Sequence, residues 1–148
     1  MKNTKIKNVI RELASDFVNE LNSNLHLIIL PNGDIVYKDF IVSRTPNNYW
    51  GVFNCKTKEL VSEFFLKSCA LIAAKEYNNL QFSRYQQIKH LDRRYQSHYS
   101  DIIVYRHNIK NVADTDTYAL ILNKLEESEA RAKEYQVRIS RLFKCTFA

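Results

Sequence analysis

Four histidines (His26, His90, His98, His107) and three cysteines (Cys55, Cys69, Cys145) are the side chains that could hold a metal ion or attack a substrate. Zinc chemistry needs them in close pairs, about three to five residues apart. No two of these seven residues are so spaced, so no metal ligands are expected. Gly33 and Gly51 stand alone, which argues against a glycine loop cradling phosphate, because such loops need several close backbone approaches. Cys69 opens the apolar run Cys69–Ala74 and has no base beside it. Glu126, Glu127, Glu129 and Glu134 look like a carboxylate cluster. Each pairing Glu127–Arg131, Glu129–Lys133 and Glu134–Arg138 has the acid four residues before the base, however, which is the pattern of a solvated helix face. No catalytic residue and no cofactor are expected, and the protein reads as non-enzymatic, with an enzyme as the third-ranked reading.

Two constellations suit binding better. Lys89, Arg93 and Gln96 share one outer stripe of a helix, with Arg94 on a neighbouring face, and tyrosines are interleaved at Tyr85, Tyr95, Tyr99 and Tyr105. Basic groups among polar ones can track a phosphate backbone, so Lys89, Arg93, Arg94 and Gln96 are candidate nucleic-acid contacts. Tyr49–Trp50 lies beside a turn, and such aromatics can anchor a protein partner. A Trp in such a place more often covers a small sheet.

These residues depend on the elements that carry them. Residues 4–22 read as an amphipathic helix, with Ile6, Ile10, Leu13, Phe17 and Leu21 on one face and Val9 and Val18 beside it. Residues 25–54 read as a three-stranded antiparallel meander. Its strands are 25–30, 35–44 and 49–54, its first turn is a type I′ hairpin at Asn32–Gly33, and its second turn is at Thr45–Asn48. Residues 58–77 read as a buried helix with a narrow polar stripe at Glu59, Glu63 and Lys67, capped by Thr57.

Two long apolar series follow. The first is Ile88, Leu91, Tyr95, His98, Ile102, Tyr105, Ile109 and Val112; the second is Tyr118, Ile121, Leu125, Ser128, Ala132, Tyr135, Ile139 and Leu142. They are mirror images about Thr115, the signature of an antiparallel, coiled-coil-like helical hairpin. The mirror pairs His98 with Ala132, Tyr95 with Tyr135 and Ile102 with Ser128. Ser83 with Gln86 suits a capping box on the first arm, and Asp114 or Thr115 can cap the second. His98 is expected to be a packed seam histidine; a buried pH switch, with Asp101 one turn away, is the lesser reading.

With 148 residues, 45% of them apolar, the chain can fill one core, so a single domain over 1–148 is expected, with a helix/meander/helix part (1–80) and a hairpin part (81–148). The net charge of +6 leans weakly towards nucleic acid. The first hairpin arm is basic and the second acidic, so part of the excess can serve arm-to-arm attraction. The longest apolar block is too short to span a membrane. With three cysteines and no signal-like leader, a reducing cytoplasm is the expected setting and no disulfide is expected.

The segments Tyr49–Asn54, Cys69–Ala74 and His90–Tyr95, with Asp101 and Tyr105, resemble in order those of small uncharacterised proteins encoded by T4-like phages of marine bacteria. The resemblance covers roughly residues 45–110 and implies expression in an infected bacterial cytoplasm. It implies no catalytic residue.

The sequence therefore predicts an α+β fold: an N-terminal helix, a three-stranded antiparallel meander, a buried helix and a long antiparallel helical hairpin. The expected function is protein–protein interaction or assembly, as a possible phage accessory protein. The partner would be an unknown protein or a second copy, contacted through the hairpin or a sheet edge. Nucleic-acid binding by the basic arm is the alternative, and no membrane is involved.

Overall fold

A computed structural model describes residues 27–147. The helix expected over residues 4–22 lies outside the described residues. The described chain forms five strands, β1 (Leu27–Ile29), β2 (Ile35–Tyr37), β3 (Phe40–Arg44), β4 (Trp50–Asn54) and β5 (Leu60–Phe64). Three helices follow, α1 (Lys67–Asn79), α2 (Ser83–Ile109) and α3 (Thr115–Phe147). The strands pair antiparallel in chain order, β1-β2-β3-β4-β5. The fold is α+β, but the three-stranded meander followed by a helix from residue 58 is wrong.

The correction has two sources. The stretch expected to return as one strand over 35–44 is two strands, reversed at Lys38–Asp39, where Lys38 takes a positive φ of 52°. Lys38, which takes the positive φ, does not announce a turn, and Asp39 alone is a weak signal for one. Asn78, at the end of α1, holds it instead: its Oδ1 accepts the Asp39 amide (3.1 Å) and its Nδ2 donates to the Tyr37 carbonyl (2.9 Å).

The second source is the expected helix over 58–77, whose first part is β5. Asn54 Oδ1 accepts the amides of Lys56 (2.9 Å) and Thr57 (3.1 Å), and Lys58 turns with φ 60°. This Asx-based reversal sends the chain back along β4, so Thr57 serves the turn by accepting the Glu59 amide (3.3 Å). Glu59, Glu63 and Lys67 mimic a helical stripe, but Ser62 and Phe64 are buried at alternate positions, the period of a strand.

Both proline turns share one design. In Leu30–Asp34 and in Thr45–Tyr49 the chain runs Pro-Asn and then a residue of positive φ, Gly33 (89°) or Asn48 (71°). The Gly33 amide bonds back to Leu30 (2.9 Å) and that of Asn48 to Thr45 (3.0 Å); outer bonds join Leu30 to Asp34 and Thr45 to Tyr49. The first hairpin therefore has a three-residue loop rather than the two-residue type I′ loop expected from Asn32–Gly33.

The sheet's inner face carries Leu27, Ile35, Tyr37, Val42, Trp50, Val52 and Phe64, all buried. Against it lies α1, whose Cys69–Ala74 run is fully buried. On a 13-residue helix, burial this complete requires neighbours on several sides, which the sheet, α2 and α3 supply. The helix ends in a Schellman motif: the Gln81 amide bonds to Glu76 O (3.0 Å) and the Leu80 amide to Tyr77 O (3.3 Å), with Leu80 left-handed at φ 53°.

The helices α2 and α3 run antiparallel. His98 stacks on Tyr135 (5.6 Å between rings), Arg106 pairs with Glu129 (2.9 Å), and Arg84 donates to Thr146 Oγ1 (3.2 Å). The stacking partner of His98 is thus one helical step beyond the expected Ala132, and Tyr95 packs on Phe65 and Tyr99 rather than on Tyr135. Asp114 caps α3, accepting from the amide (3.0 Å) and hydroxyl (2.6 Å) of Thr117. The expected Ser83 cap on α2 makes no side-chain cap bond.

Candidate interaction surface

The two groups of binding residues suggested by the sequence meet at one corner. Turn 45–49 and the start of β4 bring Tyr49 and Trp50 beside α2, and Gln96 Nε2 donates to the Tyr49 hydroxyl (2.6 Å). Trp50 is 7% exposed. The Arg44 guanidinium lies 4.5 Å from its ring centroid and the Lys67 ammonium 4.7 Å, both within cation–π range. Lys67 is itself buried and donates to the Gly33 carbonyl (2.8 Å), tying α1 to the first hairpin loop. Burial lowers the pKa of Lys67, with Asp34 opposing and Arg44 adding to the shift. Trp50 therefore holds the sheet to α1 and presents little face to a partner.

The basic stripe is likewise partly used within the fold. The Lys89 ammonium sits 5.5 Å from the Tyr85 ring centroid and reaches its hydroxyl at 3.5 Å. Tyr85 in turn packs on Phe64, Tyr77 and Phe82 and bonds Ser62 (3.0 Å), so it is not a stacking platform for bases. Arg93 and Arg94 are exposed, but as consecutive helical residues they point about 100° apart. The four candidates are brought near one another but do not form one open groove.

Reading by residue type alone missed Asp92. It is buried, and its carboxylate accepts the Phe65 (2.9 Å) and Leu66 (3.0 Å) amides, closing the β5–α1 corner from α2. Its pKa is raised to about 6, because burial outweighs those two bonds and the nearby Cys69 thiol and Arg93. Cys69 beneath it is fully buried, and burial and Asp92 hold its thiol well above the usual range, the opposite of an activated nucleophile. A signal did exist in the sequence: Tyr85, Ile88, Asp92, Tyr95 and Tyr99 recur at 3–4 spacing and mark a second packed face of α2.

The hairpin's far half is different. Between Ile102 and Leu125 no residue is buried. Yet this stretch carries Ile103, Val104, Ile109, Tyr118, Leu120 and Leu122, with Val104 52% and Leu120 56% exposed. Arg106 near the end of α2 and Lys110 just past it are basic, while α3 carries Asp116 and Lys124 in this stretch and Glu126, Glu127 and Glu129 just beyond Leu125. Glu129 does not pair with Lys133 as its spacing suggests; it reaches across to Arg106. Glu127–Arg131 (3.0 Å) and Glu134–Arg138 (3.7 Å) are the pairs within α3.

Among the described residues no cluster of His, Cys, Asp or Glu could hold a metal ion, and no helix is long and apolar enough to cross a membrane. No family model, no curated protein and no solved structure matches the chain.

Proposed function

We propose that the protein is a non-enzymatic assembly module that engages a protein partner through the far half of the α2–α3 hairpin. The observation that carries this reading is the run of large apolar side chains between Ile102 and Leu125, none of them buried. Two helices in water bury one stripe each; apolar groups left over at the end of a hairpin call for further helices, as in a bundle. A second copy offers a fitting surface, since the basic end of α2 (Arg106, with Lys110 beyond it) in one arm would face the acidic first half of α3 (Asp116, Glu126, Glu127, Glu129) in the other in a two-fold arrangement.

The test is sedimentation velocity across concentration on the full chain and on Val104→Asp/Leu120→Asp. The wild type should associate and the variant should stay monomeric with an unchanged melting temperature. A wild type that stays monomeric at about 100 μM, well above the micromolar range of ordinary specific association, overturns self-assembly through the arm.

Nucleic-acid contact through Lys89, Arg93, Arg94 and Gln96 is the second reading, favoured by the exposed Arg93 and Arg94 and the net charge of +6. It requires heparin retention that falls steeply with salt, and a salt slope that drops by about 1 for each contact removed in Lys89→Gln and Arg93→Gln.

A further inference from the structure

The sheet has a second face. Strand alternation places Leu27, Ile35, Tyr37, Val42 and Val52 inward against α1, so the residues between them point away from every described helix. On that outer face the register aligns Ile28 with Val36, Val36 with Ile41, Ile41 with Phe53 and Phe53 with Leu60. Five apolar side chains thus form one continuous row across all five strands. None is buried, and Ile28 at one end is 56% exposed. Beside the middle of the row an open cleft of about 400 Å³ is lined by Ile41, Ser43, Phe53 and Cys55, among others. A half-buried row of this kind, crossing a whole sheet, is a seat rather than a solvated surface.

We propose that the occupant of this face is the chain's own residues 4–22, laid across the strands with their apolar positions on the row. Three matches carry the assignment. The first is length. Four strand spacings take the row about 19 Å from Ile28 to Leu60, and Ile6 to Leu21 spans about 22 Å at helical rise. Five apolar positions, Leu21, Phe17, Leu13, Ile10 and Ile6, then meet five strands, with Leu13 and Ile10 nearest the cleft.

The second is the point of attachment. The segment joins β1, the edge strand where the row begins, through residues 22–26, a tether that can reach about 17 Å. The third is charge. Lys5, Lys7 and Arg11 lie in the segment's first half, which this direction carries to the β5 end. There Glu59 and Glu63 are exposed. Of the segment's acids, Asp16 and Glu20 fall towards β1, and Glu12 is near the middle.

Cys55 lines the cleft and is a native reporter. In a full-length Cys145→Ser chain its alkylation by iodoacetamide is compared with that in Leu13→Asp/Phe17→Asp, folding being checked by circular dichroism. Seating of the segment predicts at least a tenfold faster reaction in the double variant, and protection in the parent that is the same at 1 and 100 μM. Equal rates overturn the proposal, and protection that fades on dilution assigns the face to a second copy and overturns it too. A second measurement needs no destabilising change. Ile10→Cys in the same background should form an intrachain disulfide with Cys55 on mild oxidation, seen as a monomer of reduced mass; interchain cross-links alone, or none, overturn the proposal.

Discussion

Tyr95 is the largest of the fully buried side chains, and its hydroxyl has no hydrogen-bond partner among the described residues. Burial pushes its pKa up, as expected for a phenol whose ionised form has nowhere to be solvated. Leaving a donor unpaired costs more than never having it, so Tyr95→Phe should be neutral or stabilising by up to about 1 kcal/mol in urea unfolding. A loss of more than that would reveal a partner for the hydroxyl. Asp92 is the opposite case, a buried acid that is fully bonded. Its folded pKa of about 6 lies above the ordinary 3.8, so the folded state holds the proton more tightly than the unfolded one. Stability from this group is therefore complete below about pH 4, falls as pH rises to about 6, and is flat above, a change on the order of 3 kcal/mol. The stability of wild type minus that of Asp92→Asn, followed by urea unfolding from pH 4 to 7, should decline over that window. Asp92→Ala should cost about 2–4 kcal/mol near pH 4 by leaving the Phe65 and Leu66 amides unmet, and that cost should shrink over the same pH window.

At the scale of elements, the end of α1 invites a gain. Leu80 occupies the left-handed position of a Schellman motif, where glycine is usual, and is 80% exposed, so its side chain contributes little packing. Leu80→Gly should raise stability by about 1 kcal/mol by removing the left-handed strain of a side chain. A destabilised variant would show that Leu80 packs on something. The elements also show where sequence reasoning reached and where it stopped. The paired helices were legible because their 3–4 spacing persists through two long arms and reverses about Thr115. The positions of the proline turns were legible because Asn32–Gly33 and Pro46 carry a turn in themselves, although the first loop proved one residue longer than the type I′ turn expected. The Lys38–Asp39 reversal was not, since the groups that hold it belong to Asn78, forty residues away in the chain and near only after folding. The strand β5 was hidden for another reason: its polar residues fall at spacings that satisfy a helix, and the Asn54 turn that decides the matter is a side-chain bond. For the candidate site, the aromatic and basic residues stood out by type. What type could not show is that Trp50, Lys89 and Gln96 spend their chemistry inside the fold.

For the whole molecule, the burial pattern divides the hairpin into a base joined to α1 and an arm that is not needed by the core. Replacing residues 104–123 with a short Asn-Gly turn should leave cooperative unfolding intact, with a melting temperature within a few degrees of wild type, while abolishing association in the same sedimentation assay. Loss of the cooperative transition would mean that the arm supports the core after all. The other end of α3 behaves differently. Phe147 packs edge-on to Tyr37 (6.1 Å) and against Phe143 (4.8 Å), and Lys75 bonds the Thr146 carbonyl and lies over the Phe147 ring.

That contact sets a schedule for the protein's birth on the ribosome. Every strand pairing joins neighbours in the chain, so the sheet can zip up hairpin by hairpin as it emerges. The inner face beside Tyr37 stays open, however, until α3 has turned back and brought Phe147 home from more than a hundred residues away. A nascent chain stalled before α3 is complete would carry a finished sheet with an uncovered flank. Until that contact forms, the open flank is apolar surface of the kind that makes partly folded chains prone to aggregate.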